Sequence, residues 1–128
     1  MKIQENYFYK LDNLKNVKVI WKKYDKANIL ELGIDYPTAI VDLDRFSGIP
    51  LTEDWLLKFG FKKSNNNTGF QTFDKDRLSI HLRSKQYING RVYFNSWCIF
   101  ENQIENVHQL QGLFYSLIGK ELVVSAVS

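Results

Sequence analysis

The residue types most used as nucleophiles and metal ligands are scarce in this chain. Its soft ligands are Cys98, His81 and His108, which stand singly along the sequence. A zinc site needs such side chains clustered at short ligand spacing, so we expect no metal and no cofactor. A nucleophile pair of Cys98 with either histidine requires the fold to bring them together. The apolar run Trp97–Phe100 instead favours an inert, buried thiol at Cys98.

Carboxylates recur in pairs that have structural explanations. The pairs are Asp42/Asp44, Glu53/Asp54, Asp74/Asp76 and Glu101/Glu105. Turn formation and helix capping account for such positions, and none forms a recognisable acid–base pair. The nucleotide-binding, serine-hydrolase and zinc-peptidase motifs are absent from the sequence. We therefore expect no catalytic residues and a protein that is not an enzyme.

The strongest candidate for a binding surface is one face of a predicted β-hairpin. The segment Leu78–Arg83 alternates apolar and polar residues, as half-buried strands do, and Asn89-Gly90 is a typical hairpin turn before Arg91–Asn95. One face would carry cationic and aromatic side chains: Arg77, His81, Arg83, Arg91 and Tyr93. These suit an acidic protein, or a nucleic acid whose bases stack on the ring. The alternative is an ordinary solvated face, which a net charge of only +3 favours.

A second cationic cluster surrounds the predicted polar turn Lys22–Asn28. Its members are Lys15, Lys18, Lys22, Lys23 and Lys26. Arginine is enriched at protein interfaces whereas lysine is depleted there. The hairpin face is therefore the better candidate for a partner.

Length and composition predict one folded domain spanning residues 1–128. The chain has 128 residues, of which 45% are hydrophobic and 15% aromatic, and this is enough to build a core. Its single cysteine excludes an internal disulfide. The sequence has no apolar stretch of signal-peptide or membrane-span length. We therefore expect a cytoplasmic protein that does not contact a membrane.

The N-terminal part, residues 1–50, has β character. Predicted strands cover Val17–Trp21, Ile29–Ile34 and Thr38–Leu43. The segment Glu5–Leu14 fits either a strand or a single helical turn. These strands form a second small sheet or extend the sheet of the C-terminal part.

The C-terminal part, residues 51–128, starts with a short helix. Thr52 is the predicted N-cap and Gly60 the stop signal. A core-packing helix that buries Trp55 is favoured over a docking helix that exposes it. A β-meander then leads to a longer helix from Ile104 to Ile118, and the terminal stretch Glu121–Val127 is a final strand or a packed tail. The predicted fold is α+β: a small antiparallel sheet packed by one long and one short helix.

Two segments resemble motifs of a family of small proteins from Bacteroidetes genomes, phages and prophages. They are residues 49–61 (IPLTEDWLLKFGF) and residues 107–122 (VHQLQGLFYSLIGKEL). The resemblance implies a mobile-element origin and a bacterial cytoplasm. Some mobile-element proteins of this size resemble anti-CRISPR proteins. The resemblance therefore implies a non-enzymatic inhibitor of a bacterial defence effector.

The partner implied by this resemblance is a bacterial protein, such as a CRISPR nuclease or its RNA complex. The alternative is a small nucleic-acid-binding accessory protein of a phage or prophage. A small enzyme using Cys98 or His81 and a structural phage protein are further hypotheses.

Overall fold

A computed structural model describes residues 2–34, 39–65, 71–82, 91–95, 97–101 and 104–124. The chain divides into two compact units, Met1–Ile49 (unit 1) and Pro50–Ser128 (unit 2). This boundary coincides with the predicted change of character near residue 50. Whether the chain acts as a single domain stays a prediction.

Unit 1 is an antiparallel sheet of five strands. In chain order they are β1 (Phe8–Leu11), β2 (Lys15–Lys23), β3 (Lys26–Glu31), β4 (Ala39–Asp42) and β5 (Phe46–Ser47). The spatial order is β4-β3-β2-β1-β5, and a 3-10 turn at Leu43–Arg45 precedes the return of β5 to β1. Alternate residues face one core, which holds Ile3, Tyr9, Leu11, Val17, Val19, Ala27, Ile29, Val41 and Phe46.

The β2–β3 hairpin of unit 1 is longer than predicted. The expected polar turn over Lys22–Asn28 is wrong, because Lys23 pairs with Lys26 and the turn contains only Tyr24 and Asp25. Six polar or charged residues in this stretch suggested a loop, but cross-strand pairing overrides that local signal. The ambiguous segment Glu5–Leu14 contains the strand β1.

Unit 2 contains a second antiparallel sheet, so the N-terminal strands do not extend it. Its strands are β6 (Lys62–Asn65), β7 (Gln71–Lys75), β8 (Leu78–Leu82), β9 (Arg91–Phe94) and β10 (Trp97–Glu101), in the spatial order β10-β9-β8-β7-β6. The sequence indicated the last four strands. It missed β6, because Lys62 and Lys63 fit the basic end of a helix equally well.

The short helix α1 spans Glu53–Lys58 and packs into the core of unit 2. Trp55 is only 4% exposed, so the alternative of a docking helix with an exposed tryptophan is wrong. Thr52 occupies the N-cap position, yet its side chain makes no capping hydrogen bond. At the other end, Lys75 Nζ donates to the carbonyl of Phe59 at 2.7 Å, which places a cation at the negative end of the helix.

The longer helix α2 spans Val107–Ile118 and begins three residues later than predicted. It buries Val107, Leu110, Gln111 and Phe114, and the ring of Phe114 meets that of Phe61 at 6.3 Å. Gly119 ends the helix with a φ of +83°, as expected for a glycine C-cap.

The segment after α2 is a packed tail over its described part. Residues 121–124 form no strand, and the side chain of Leu122 is buried. The remaining residues of the predicted terminal strand lie outside the described part of the chain. The α+β class is confirmed, with two helices and two antiparallel sheets among the described residues. In those residues no helix is long and apolar enough to span a membrane.

Candidate functional site

The alternation predicted for β8 is present in the structure. Leu78 and Ile80 are buried, whereas Ser79 and His81 are half-buried on the opposite face. Tyr93 of β9 lies directly across from Ser79, so it shares the face of His81. The imidazole of His81 and the ring of Tyr93 meet with centroids 4.3 Å apart and planes inclined by 34°.

Two turns at one end of the sheet position Arg77. The backbone N–H of Asn95, next to the β9–β10 turn, donates to the carbonyl of Arg77 in the β7–β8 turn at 3.0 Å. The guanidinium of Arg77 lies 5.1 Å from the ring centroid of Phe94, a cation–π distance. Phe94 pairs with Leu78, so its ring lies on the face opposite to that of His81 and Tyr93, and this contact holds the exposed guanidinium at the end of the sheet.

These side chains line an open cleft of about 550 Å³, whose residues are Asp74, Asp76, Arg77, Leu78, Ser79, His81, Tyr93 and Asn95. We call this surface the cleft face. Asp74 joins it because it pairs with Ser79 across β7 and β8. Asp76 joins it from the β7–β8 turn, where its φ is +54°. The described part of the face is therefore mixed in charge, not purely basic.

The structure brings together three of the five residues predicted for the binding face: Arg77, His81 and Tyr93. Arg91 lies at the start of β9, but its side chain is outside the described part. Arg83 and the predicted Asn89-Gly90 turn also lie outside the described residues. Sequence reasoning missed Asp74 and Asp76, although the strict alternation of β8 and a two-residue turn before it would have placed Asp74 on the same face.

The cleft face has polar side chains but lacks a recognisable catalytic arrangement in its described part. Within the described residues no three His, Cys, Asp or Glu side chains are grouped to hold a metal ion. The backbone of Cys98 pairs with Tyr93 across β9 and β10, while its side chain is outside the described part. His108 lies on α2, where burial lowers the pKa of its imidazole.

Two of the five lysines of the second cationic cluster form ion pairs with neighbouring carboxylates. Lys15 Nζ lies 2.7 Å from a carboxylate oxygen of Glu31, and Lys26 forms an ion pair with Asp42. Ion pairs at the surface contribute little to stability, because solvent screens the charges. They also reduce the net positive charge that the cluster presents.

The chain was also compared with known proteins. No protein-family model, no curated protein and no solved structure matches this chain.

Proposed function

We propose that this chain is a non-enzymatic protein that binds a partner protein through the cleft face of unit 2. The observation that carries the proposal is the ring pair of His81 and Tyr93, which lines the same cleft as Arg77. Tyrosine and arginine dominate the binding energy of protein interfaces. Side chains already held against their neighbours lose little conformational entropy on binding.

The charges of the cleft face favour a protein over a nucleic acid. Asp74 and Asp76 line the same cleft as Arg77. Phosphates would be repelled by these carboxylates, whereas a protein surface can offer both signs of charge. The alternative of a nucleic-acid-binding accessory protein is therefore less well supported at this face.

The partner that we propose is a bacterial defence effector, with a CRISPR nuclease or its RNA complex as the first choice. This part of the proposal rests on the resemblance of residues 49–61 and 107–122 to proteins of Bacteroidetes phages and prophages. An inhibitor of that kind acts in the cytoplasm of the host bacterium. It needs a recognition surface, and the cleft face is the surface that we propose for this role.

A cleavage assay tests the proposal directly. Guide-loaded CRISPR nucleases from Bacteroidetes are mixed with target DNA and increasing amounts of the protein, and the cleavage rate is measured. We expect the wild type to inhibit at least one nuclease. The double variant Arg77→Glu/Tyr93→Ala should inhibit at least about tenfold less well, because it removes two anchor side chains of the type that dominate interfaces.

Matched substitutions on exposed positions away from the cleft provide the control. Tyr115 is 52% exposed on α2 and Lys120 is exposed just after it, so Tyr115→Ala/Lys120→Glu should inhibit as the wild type does. Retained inhibition by the cleft variant would remove the cleft face from the proposal. Absence of both inhibition and binding across the nucleases would reject the defence effector as partner. Binding of naked nucleic acid that Arg77→Glu abolishes would favour the accessory-protein alternative.

A further inference from the structure

The turn of the β2–β3 hairpin holds a tyrosine in a backbone conformation that tyrosine disfavours. Tyr24 is the first of the two turn residues and has a φ of +58°. Hairpin turns that need a positive φ at this position favour glycine, because a Cβ atom crowds the neighbouring carbonyl there. A tyrosine at this position therefore lowers the stability of the protein.

Packing does not explain why Tyr24 is present. Its side chain is 88% exposed, so it gains almost nothing from burial. Strained residues that the fold does not need concentrate at functional sites. This tyrosine ring is thus available to a ligand in solution.

A β-bulge brings a second aromatic ring to the same hairpin. Val19 pairs with Ile29, but Trp21 pairs with Asn28, so the register shifts between Val19 and Trp21. Without the shift Trp21 would share the core face of Val19. The bulge turns it to the opposite face, where it lies in one row with Asn28 and Ile40 and is 37% exposed.

The ammonium group of Lys23, two residues after Trp21 and on the same face, accompanies these rings. Lys23 Nζ lies 5.5 Å from the ring centroid of Tyr24. Lys22 pairs with Ala27 and so lies on the face opposite to that of Trp21, where its Nζ donates to the carbonyl of Ile3 at 2.9 Å. The nearby Lys26 contributes less, because it is paired with Asp42.

We propose that these three residues, Trp21, Lys23 and Tyr24, form a binding site for single-stranded nucleic acid, here called the tip site. Unpaired bases stack on exposed aromatic rings, and lysines beside the rings meet the phosphates. A duplex fits poorly, because its bases are already stacked on each other. The tip site lies in unit 1 and is independent of the partner proposed for the cleft face.

The test uses fluorescein-labelled oligothymidylate and oligouridylate of about 20 nucleotides, long enough for one binding module. Fluorescence anisotropy gives the Kd for the full-length protein. Tyr24→Gly is the decisive variant, since it removes the ring and relieves the backbone. We expect a Kd raised by about tenfold, as the loss of one stacked base predicts, together with a Tm equal to or above that of the wild type. Tyr24→Phe, which keeps the ring, should bind as the wild type does.

Charge is tested separately. Lys23→Gln should reduce the dependence of log Kd on log salt concentration by about one ion, measured between about 50 and about 200 mM salt. Tyr115→Ala and Lys120→Gln, on exposed positions of unit 2, should change neither the Kd nor this slope. The proposal is overturned if the wild type binds neither oligonucleotide, if Tyr24→Gly binds as tightly as the wild type, or if Tyr115→Ala weakens binding as much as Tyr24→Gly.

Discussion

The rings of His81 and Tyr93 lie 4.3 Å apart, centroid to centroid, on neighbouring strands of the unit 2 sheet. They are diagonal neighbours, because Tyr93 pairs with Ser79, two residues before His81 on the same face. Diagonal positions are within reach of aromatic side chains across antiparallel strands. Each ring therefore restricts the rotamers of the other, and a partner meets a surface that is already ordered.

The ring pair should show energetic coupling in a double-mutant cycle. Urea unfolding of the wild type, His81→Ala, Tyr93→Ala and the double variant gives the four free energies needed. We expect a coupling of about 0.5–1.5 kcal/mol, the range for contacting aromatic pairs. His81→Ala combined with Tyr115→Ala is the control cycle, and there the effects should add to within about 0.5 kcal/mol. Additive effects in both cycles would show that the His81–Tyr93 contact contributes nothing to stability.

Much of unit 2 could be predicted from local patterns. The alternation around Ile80 gave β8 and its two faces, and the apolar spacing of Val107, Leu110 and Phe114 gave α2. Both signals reflect periodicities of 2 and 3.6 residues, which follow from backbone geometry alone. Trp55 was correctly expected in the core, because a large apolar ring is stabilised most by burial.

The other features of the fold depend on which strands pair and in which register, and local sequence patterns do not indicate this. The register shift between Val19 and Trp21 exchanges the faces of Trp21, Lys22 and Lys23 without any glycine or proline to mark it. Asp74 joins the cleft face because β7 pairs with β8 in one particular register, which the alternation of β8 indicates only once the two-residue turn is recognised. Such choices are decided by contacts between distant residues, so local propensity carries little information about them.

Two adjacent aromatic residues of α2 should respond very differently to truncation. Phe114 is 1% exposed and Tyr115 is 52% exposed. Phe114→Ala should lower the free energy of unfolding by about 3–5 kcal/mol, because it removes buried surface and leaves a cavity. Tyr115→Ala should change it by no more than about 0.5 kcal/mol, as surface substitutions do. Equal losses in chemical denaturation would contradict the burial assigned to this helix.

The start of α2 depends on one side-chain oxygen. Gln109 Oε1 accepts backbone N–H bonds from Glu105 at 2.9 Å and from Asn106 at 3.0 Å. Gln109→Ala should lower the free energy of unfolding by about 1 kcal/mol, the usual value for a lost hydrogen bond. Gln109→Glu should retain stability, since a carboxylate accepts the same bonds and suits the helix N-terminus. If the Gln109→Ala and Gln109→Glu variants had the same free energy of unfolding in urea titrations, these hydrogen bonds would not contribute to stability.

The half-buried imidazole of His108 should make stability depend on pH. Burial disfavours its charged form and lowers its pKa from the ordinary 6.5. Well above pH 6.5 both the folded and the unfolded states hold a neutral imidazole, so this residue adds no pH dependence there. As the pH falls below 6.5, the unfolded state binds a proton before the folded state does, and stability decreases until the folded pKa is passed.

His108→Gln isolates this effect, because the carboxylates that titrate at lower pH are common to both proteins. The difference in free energy of unfolding between wild type and variant should be constant above about pH 7.5, one unit above the pKa of an ordinary histidine. Below that it should shift against the wild type, with a slope of at most about 1.4 kcal/mol per pH unit for one proton. A difference that stays constant down to about pH 5 would mean that His108 titrates alike in the folded and unfolded states, and that burial does not disfavour its charge.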